Sequence, residues 1–136
     1  MIKRTDNYHI NLCMWARNKV GTSFRWGAND CITLLKDTLY IMYEYFLDIP
    51  QYSTSGEAMR VYRSLDRTPS ELLQYLGFHT VSQMFSQNGD IVVVNTEHMQ
   101  EIGIVVDGRI LSASEQDGIG WITVEDILDP FTIYRA

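Results

Sequence analysis

The chain has 136 residues, a length typical of one domain that buries its own hydrophobic core. Its formal net charge of −6 argues against a nucleic-acid partner, because phosphate binding requires clustered Lys and Arg. No apolar run approaches the roughly 18 residues of a membrane span, and the first ten residues lack the apolar core of a signal peptide. We therefore expect a protein made in the cytoplasm without Sec-type export.

Apolar residues at helical spacing predict four helices in the first half of the chain. These helices cover about 7–19, 30–46, 54–65 and 68–77. The second is apolar on most of its faces, so we expect it to be the central, buried helix.

After Gly77 the hydrophobic period changes from helical to alternating, which predicts strands. The predicted strands cover 79–82, 89–95, 102–106, 109–114, 120–124 and 132–135. Asp107-Gly108 is a two-residue hairpin signal, and the other turns are also short, so the sheet should be antiparallel. Helices first and strands after predict an α+β fold in one domain, with a helical half over about 7–77 and a strand half over about 79–136.

Cys31 lies at the first position of the second predicted helix, directly after the potential cap residues Asn29 and Asp30. Unpaired N–H groups and the macrodipole at a helix start favour an anion, so we expect a lowered thiol pKa. Several cysteine hydrolases present their nucleophile in this way. A cysteine near a helix start is also common as a small buried hydrophobe, and both interpretations stay open at this point.

The segment GTSFRWG at 21–27, followed by Asp30-Cys31, resembles the nucleophile motif of the NlpC-type peptidases, papain-like enzymes that cut peptidoglycan stem peptides. GDIV at 89–92 resembles the start of their first main strand, and IGIV at 102–105 resembles the strand that carries their histidine.

The chain is more similar still to NlpC-like proteins of phage tails and prophages. This similarity is carried by short segments at 29–31, 52–60, 89–90, 117–119 and 133–135. The resemblance extends over nearly the whole chain from about residue 10. It implies a papain-like NlpC-type fold, with the cysteine helix packed on a C-terminal antiparallel sheet.

The resemblance also implies an incomplete catalytic set. Active members have a histidine where this chain has Glu101, and their third polar residue falls, by hairpin register, at Ser112. Phe24 replaces the family's tyrosine, so Cys31 alone matches. A carboxylate with a pKa of about 4.3 is a poor general acid at neutral pH, and its charge would raise the pKa of a nearby thiol.

Other residues complete the candidate site. His98, in the loop before Glu101, is the alternative base, and His79 is a more distant one. A small and mainly aromatic set is expected to line the substrate groove: Phe24, Trp26, Asp30 and Trp121. Of these, Asp30 is expected first as a helix cap. No cofactor or metal is expected, since the histidines and the two cysteines lack ligand spacing.

Three functions follow from this pattern. The favoured one is a structural or assembly protein of a phage tail, which uses a degenerate peptidase fold to contact other tail or virion proteins and is located in the virion. The second is an active cysteine amidohydrolase that cleaves peptidoglycan stem peptides during infection. The third is a module that binds stem peptides without cutting them.

Overall fold

The computed structural model describes residues 2–64, 67–97 and 99–136. Over these residues four helices come first: α1 (Tyr8–Lys19), α2 (Cys31–Tyr43), α3 (Ser55–Ser64) and α4 (Pro69–Tyr75). Six strands follow: β1 (His79–Val81), β2 (Ile91–Asn95), β3 (Gln100–Val106), β4 (Arg109–Ser114), β5 (Gly118–Ile122) and β6 (Phe131–Arg135). This order confirms the α+β class. None of the described helices combines the length and the apolar character that a membrane crossing requires.

The strands form one sheet in the order β1-β6-β2-β3-β4-β5, and every neighbouring pair is antiparallel, as predicted. Strands β2 to β5 form a meander, and β6 returns to lie between β1 and β2. The turn between β3 and β4 has positive φ at both central residues, 51° at Asp107 and 76° at Gly108. That is the geometry of a type I′ hairpin, whose twist matches the twist of the strands.

Helix α2 is fixed at both ends by local hydrogen bonds. The Asp30 side chain accepts from the backbone N–H of Thr33, and the Thr33 hydroxyl accepts from the backbone N–H of Asp30. At the other end Glu44 adopts a left-handed φ of 53°, so the predicted extension to residue 46 is wrong. The prediction was too long because apolar residues continue at helical spacing beyond Glu44, where the backbone leaves the helix. The predicted end of the third helix, Leu65, lies outside the described residues.

Hydrophobic side chains are buried on both faces of the sheet. Helices α1 and α2 cover one face, where Leu34, Leu39 and Ile104 belong to the largest buried cluster. Val92 and Val105, which point to the other face, belong to a second cluster. A third cluster lies beneath α3. Cys31 packs against both the largest cluster and the cluster beneath α3, so the start of α2 lies at the junction of the two.

A buried ion pair connects the last strand to the turn before β2. Asp90 accepts two hydrogen bonds from the Arg135 guanidinium, at 2.9 and 2.8 Å, and a third from the backbone N–H of Gln87. These bonds hold the turn before β2 against β6.

Candidate cysteine site

A pocket of about 310 Å³ opens where the start of α2 meets strands β3 and β4. The structure brings six of the eight predicted site residues to its lining. They are Phe24, Trp26, Asp30, Cys31, Glu101 and Ser112. The rings of Phe24 and Trp26 pack edge to face, with their centroids 4.8 Å apart.

The Cys31 thiol is partly buried, and the side chain that contacts it belongs to Tyr62 on α3. The sulfur lies 3.7 Å from the Tyr62 hydroxyl oxygen. That hydroxyl donates its hydrogen to the backbone carbonyl of Gln100 at 3.0 Å, which leaves the thiol as the donor in the contact with Tyr62. This arrangement suits a protonated cysteine.

Burial raises the pKa of the Cys31 thiol from an ordinary value near 9 to about 11. The contacts with the Tyr62 hydroxyl and the Ile102 backbone oppose this shift, whereas the charges of Asp30 and Glu101 add to it. The lowered pKa expected at a helix start is therefore wrong for this residue. A shift of this size corresponds to more than about 2 kcal/mol, whereas the dipole contributes roughly 0.3–1 kcal/mol. Desolvation outweighs the dipole.

Asp30 is fully buried, and neighbouring donors occupy its carboxylate. One oxygen accepts from the backbone N–H of Thr33 at 2.9 Å. The other accepts from the backbone N–H of Gly27 at 2.8 Å and from the Tyr52 hydroxyl at 2.6 Å. Gly27 fits here because its φ is 81° and a Cβ atom would collide with the Tyr52 carbonyl oxygen. Asp30 thus caps α2 and connects three segments of the chain.

Glu101 and Ser112 reach the pocket from the sheet. Glu101 is exposed and lies opposite Val94 in the β2–β3 pairing, and Ser112 lies opposite Gly120 in the β4–β5 pairing. Because side chains alternate along a strand, Glu101 points to the opposite face from Ile102, which packs beneath α2. Glu101 therefore borders the pocket on its solvent side and acts on the thiol through its charge.

The described histidines lie away from the pocket. His79 is on the edge strand β1, separated from β3 by β6 and β2. His9 is on α1, where its ring contacts Asn88. The proposed alternative base, His98, lies outside the described residues.

Trp121 was expected to line the groove, but it does not line the pocket. It lies opposite Leu111 in the β4–β5 pairing and packs against the main core, while the Arg109 guanidinium covers its ring at 4.2 Å. The alternation along β5 directs its neighbour Ile122 toward the pocket instead.

Tyr52 and Tyr62 are partners of the site that the sequence did not predict. The contacts of Tyr62 with Cys31 and of Tyr52 with Asp30 join residues more than twenty positions apart, so local spacing in the sequence does not predict them. Tyr62 belongs to the apolar residues at helical spacing in the predicted third helix, and this spacing was the available signal.

The fold and the pocket define an α+β domain with a partly buried cysteine at the start of its central helix. The chain belongs to the family described as a domain of unknown function, DUF6950, whose sequence model matches residues 3–133. No curated protein sequence matches this chain.

Replacing Tyr52 by Phe removes the hydroxyl that donates to the buried Asp30 carboxylate at 2.6 Å. A hydrogen bond to a charged group contributes about 1.5–3 kcal/mol, so we expect Tyr52→Phe to lower the free energy of unfolding by that amount in urea denaturation. Tyr40→Phe is the matched control, since Tyr40 is exposed, and should change stability by less than about 0.5 kcal/mol. Equal effects of the two variants would contradict the structural role of the Asp30–Tyr52 bond.

Proposed function

We propose that this chain is a structural or assembly component of a phage tail, built on a degenerate NlpC-type papain-like fold that does not catalyse hydrolysis. The resemblance of its motifs to NlpC-like tail and prophage proteins supports the tail assignment. A cysteine at the first position of a central helix, packed on an antiparallel sheet, supports the fold assignment. The chain is then made in the host cytoplasm and incorporated into the virion.

The state of Cys31 carries the non-catalytic part of the proposal. A cysteine nucleophile works through an imidazole that takes its proton and later gives it to the leaving amine. With a pKa of about 11, only about one thiol in ten thousand is ionised at pH 7. The charge of Glu101 opposes ionisation of the thiol, and the position holds no imidazole that could take the thiol proton and return it to a leaving group.

Large apolar side chains outside the pocket offer contact surface for a protein partner. Ile10 and Met14 lie one turn apart on α1, and each is 58% exposed. Met84 and Phe85, which are adjacent in the 3₁₀ turn Gln83–Phe85, are also exposed. Exposed apolar groups of this kind are usual at protein–protein contacts, and they support an assembly role.

The alkylation rate of Cys31 against pH tests the chemistry directly. In a Cys13→Ala background, we expect the reaction with a small haloacetamide to be slow at pH 7 and to rise only as the pH approaches about 11. The profile should be unchanged in His98→Ala, and Cys13→Ala/Cys31→Ala should give the unlabelled baseline. Fast reaction below pH 7 that is lost in His98→Ala would instead establish a cysteine–histidine pair and favour the amidohydrolase.

The tail assignment is tested on purified phage particles. We expect quantitative mass spectrometry to find the chain together with the tail proteins, or bound to them in assembly intermediates. Phage carrying Cys31→Ala should assemble and infect normally, because the thiol does no chemistry. Intact Cys31→Ala particles that fail to infect would favour the amidohydrolase, and absence of the chain from both particles and intermediates would contradict the tail role.

The pocket itself favours a second candidate, a module that binds a stem peptide without cutting it. Its lining combines the aromatic rings of Phe24 and Trp26 with the carboxylates of Glu101 and Glu115, a combination that suits a peptide bearing an amino group. This reading retains the groove that the resemblance implies and needs no activated thiol.

Calorimetric titration with a purified muropeptide distinguishes this candidate. It predicts saturable binding that is lost when Ser112→Trp fills the pocket, with no change in the peptide by mass spectrometry. Ser86→Trp adds the same side chain at an exposed site outside the pocket and should leave binding unchanged. No heat of binding to the unmodified chain would exclude the peptide-binding module.

A further inference from the structure

A second group of reactive side chains lies outside the pocket, between α1 and the turn of the β3–β4 hairpin. His9 and Cys13 are four residues apart on α1 and therefore share a face of the helix. Asp107, at the hairpin turn, lies against them. Among the described residues, ligand atoms of these three side chains lie within 4.8 Å of one another. The Cys13 sulfur is 3.9 and 3.8 Å from the two Asp107 oxygens.

Asn88 holds this cluster in place. Its side-chain oxygen accepts from the backbone N–H of Asp107 at 2.7 Å, which fixes the orientation of the amide. Its amide nitrogen then lies 3.0 Å from His9 Nδ1 and 3.3 Å from Asp107 Oδ1. Since an amide N–H₂ can only donate, the imidazole nitrogen and the carboxylate both act as acceptors there. The lone pairs of the His9 nitrogen and of the Asp107 carboxylate therefore point toward the same place, which the Asn88 amide nitrogen occupies.

We propose that His9, Cys13 and Asp107 form a binding site for a borderline divalent transition-metal ion of the Zn²⁺ class. An imidazole, a thiolate and a carboxylate are the three ligand types that such ions take in proteins. This proposal stands independently of the tail role and of the chemistry at Cys31.

The sulfur–oxygen separations in the cluster fit a tetrahedral ion. With Zn–S of about 2.3 Å and Zn–O of about 2.0–2.2 Å, tetrahedral geometry places sulfur and oxygen ligands about 3.5–3.7 Å apart. The observed 3.8 and 3.9 Å are within a few tenths of an ångström of that separation. Small rotations of surface side chains therefore suffice.

Binding has a defined balance of protons and hydrogen bonds. The Cys13 thiol releases its proton to solvent, because the thiolate is the ligand. The Asn88 amide gives up its contacts with His9 and Asp107, and the fourth position is taken by water. The ion then joins α1 to a turn that lies 94 residues further along the chain than Cys13.

Titration of the whole chain with Co²⁺ and Zn²⁺ tests the site. Co²⁺ should give a thiolate-to-cobalt charge-transfer band that is lost in Cys13→Ser and retained in Cys31→Ala. By calorimetry, His9→Ala and Asp107→Asn should weaken Zn²⁺ binding by about tenfold or more, whereas His79→Ala should not. Asn tolerates the left-handed φ at 107, so Asp107→Asn keeps the turn.

Asn88→Asp gives a gain-of-binding test that does not depend on a damaged site. The new carboxylate can still accept from the Asp107 N–H, and its second oxygen replaces the amide nitrogen beside His9 and Asp107. We expect Zn²⁺ to bind about tenfold more tightly and to raise the melting temperature further than in the unmodified chain. Absence of saturable 1:1 binding, a cobalt band that persists in Cys13→Ser, or no tightening in Asn88→Asp would each overturn the proposed site.

Discussion

The buried Asp30 carboxylate is the interaction on which the rest of the site depends. It holds the loop at Gly27, the hydroxyl of Tyr52 and the first turn of α2 together. The Tyr52 hydroxyl is buried, so without this carboxylate it would lack a partner, which costs about 1–3 kcal/mol. The same charge lies next to Cys31 and opposes its ionisation. The carboxylate that builds the start of the helix therefore adds to the effect of burial, which keeps the thiol neutral.

Cys31 lies at the helix position typical of a cysteine nucleophile, but its thiol is not activated there. The helix start presents the sulfur at the mouth of a pocket, as in cysteine hydrolases, but Tyr62 and the core around it remove water. The helix dipole cannot compensate for that desolvation without an imidazolium ion nearby. The start of the central helix therefore places this cysteine without activating it.

The β3–β4 hairpin connects the two regions of interest. Glu101 on β3 and Ser112 on β4 line the pocket. Asp107 lies at the turn of the same hairpin, beside α1. Glu101 and Asp107 are six positions apart along β3 and its turn, a distance of about 20 Å. An ion at the turn would therefore stiffen the hairpin without entering the pocket. Substitutions in the pocket and at the proposed ion site affect different residues.

The sequence by itself determined the order of helices and strands, the cap at Asp30, the hairpin at Asp107-Gly108 and the collection of Phe24, Trp26, Glu101 and Ser112 around Cys31. Periodicity, capping and turn chemistry depend on a few neighbouring residues, and the site residues came from the motif order. Only the tertiary structure decided the early end of α2, the inward side of Trp121, the Tyr62 contact and the meeting of His9 and Cys13 with Asp107. It also showed that burial outweighs the helix start in setting the pKa of Cys31. Burial and contacts between distant segments set these features, and neither is encoded in local spacing.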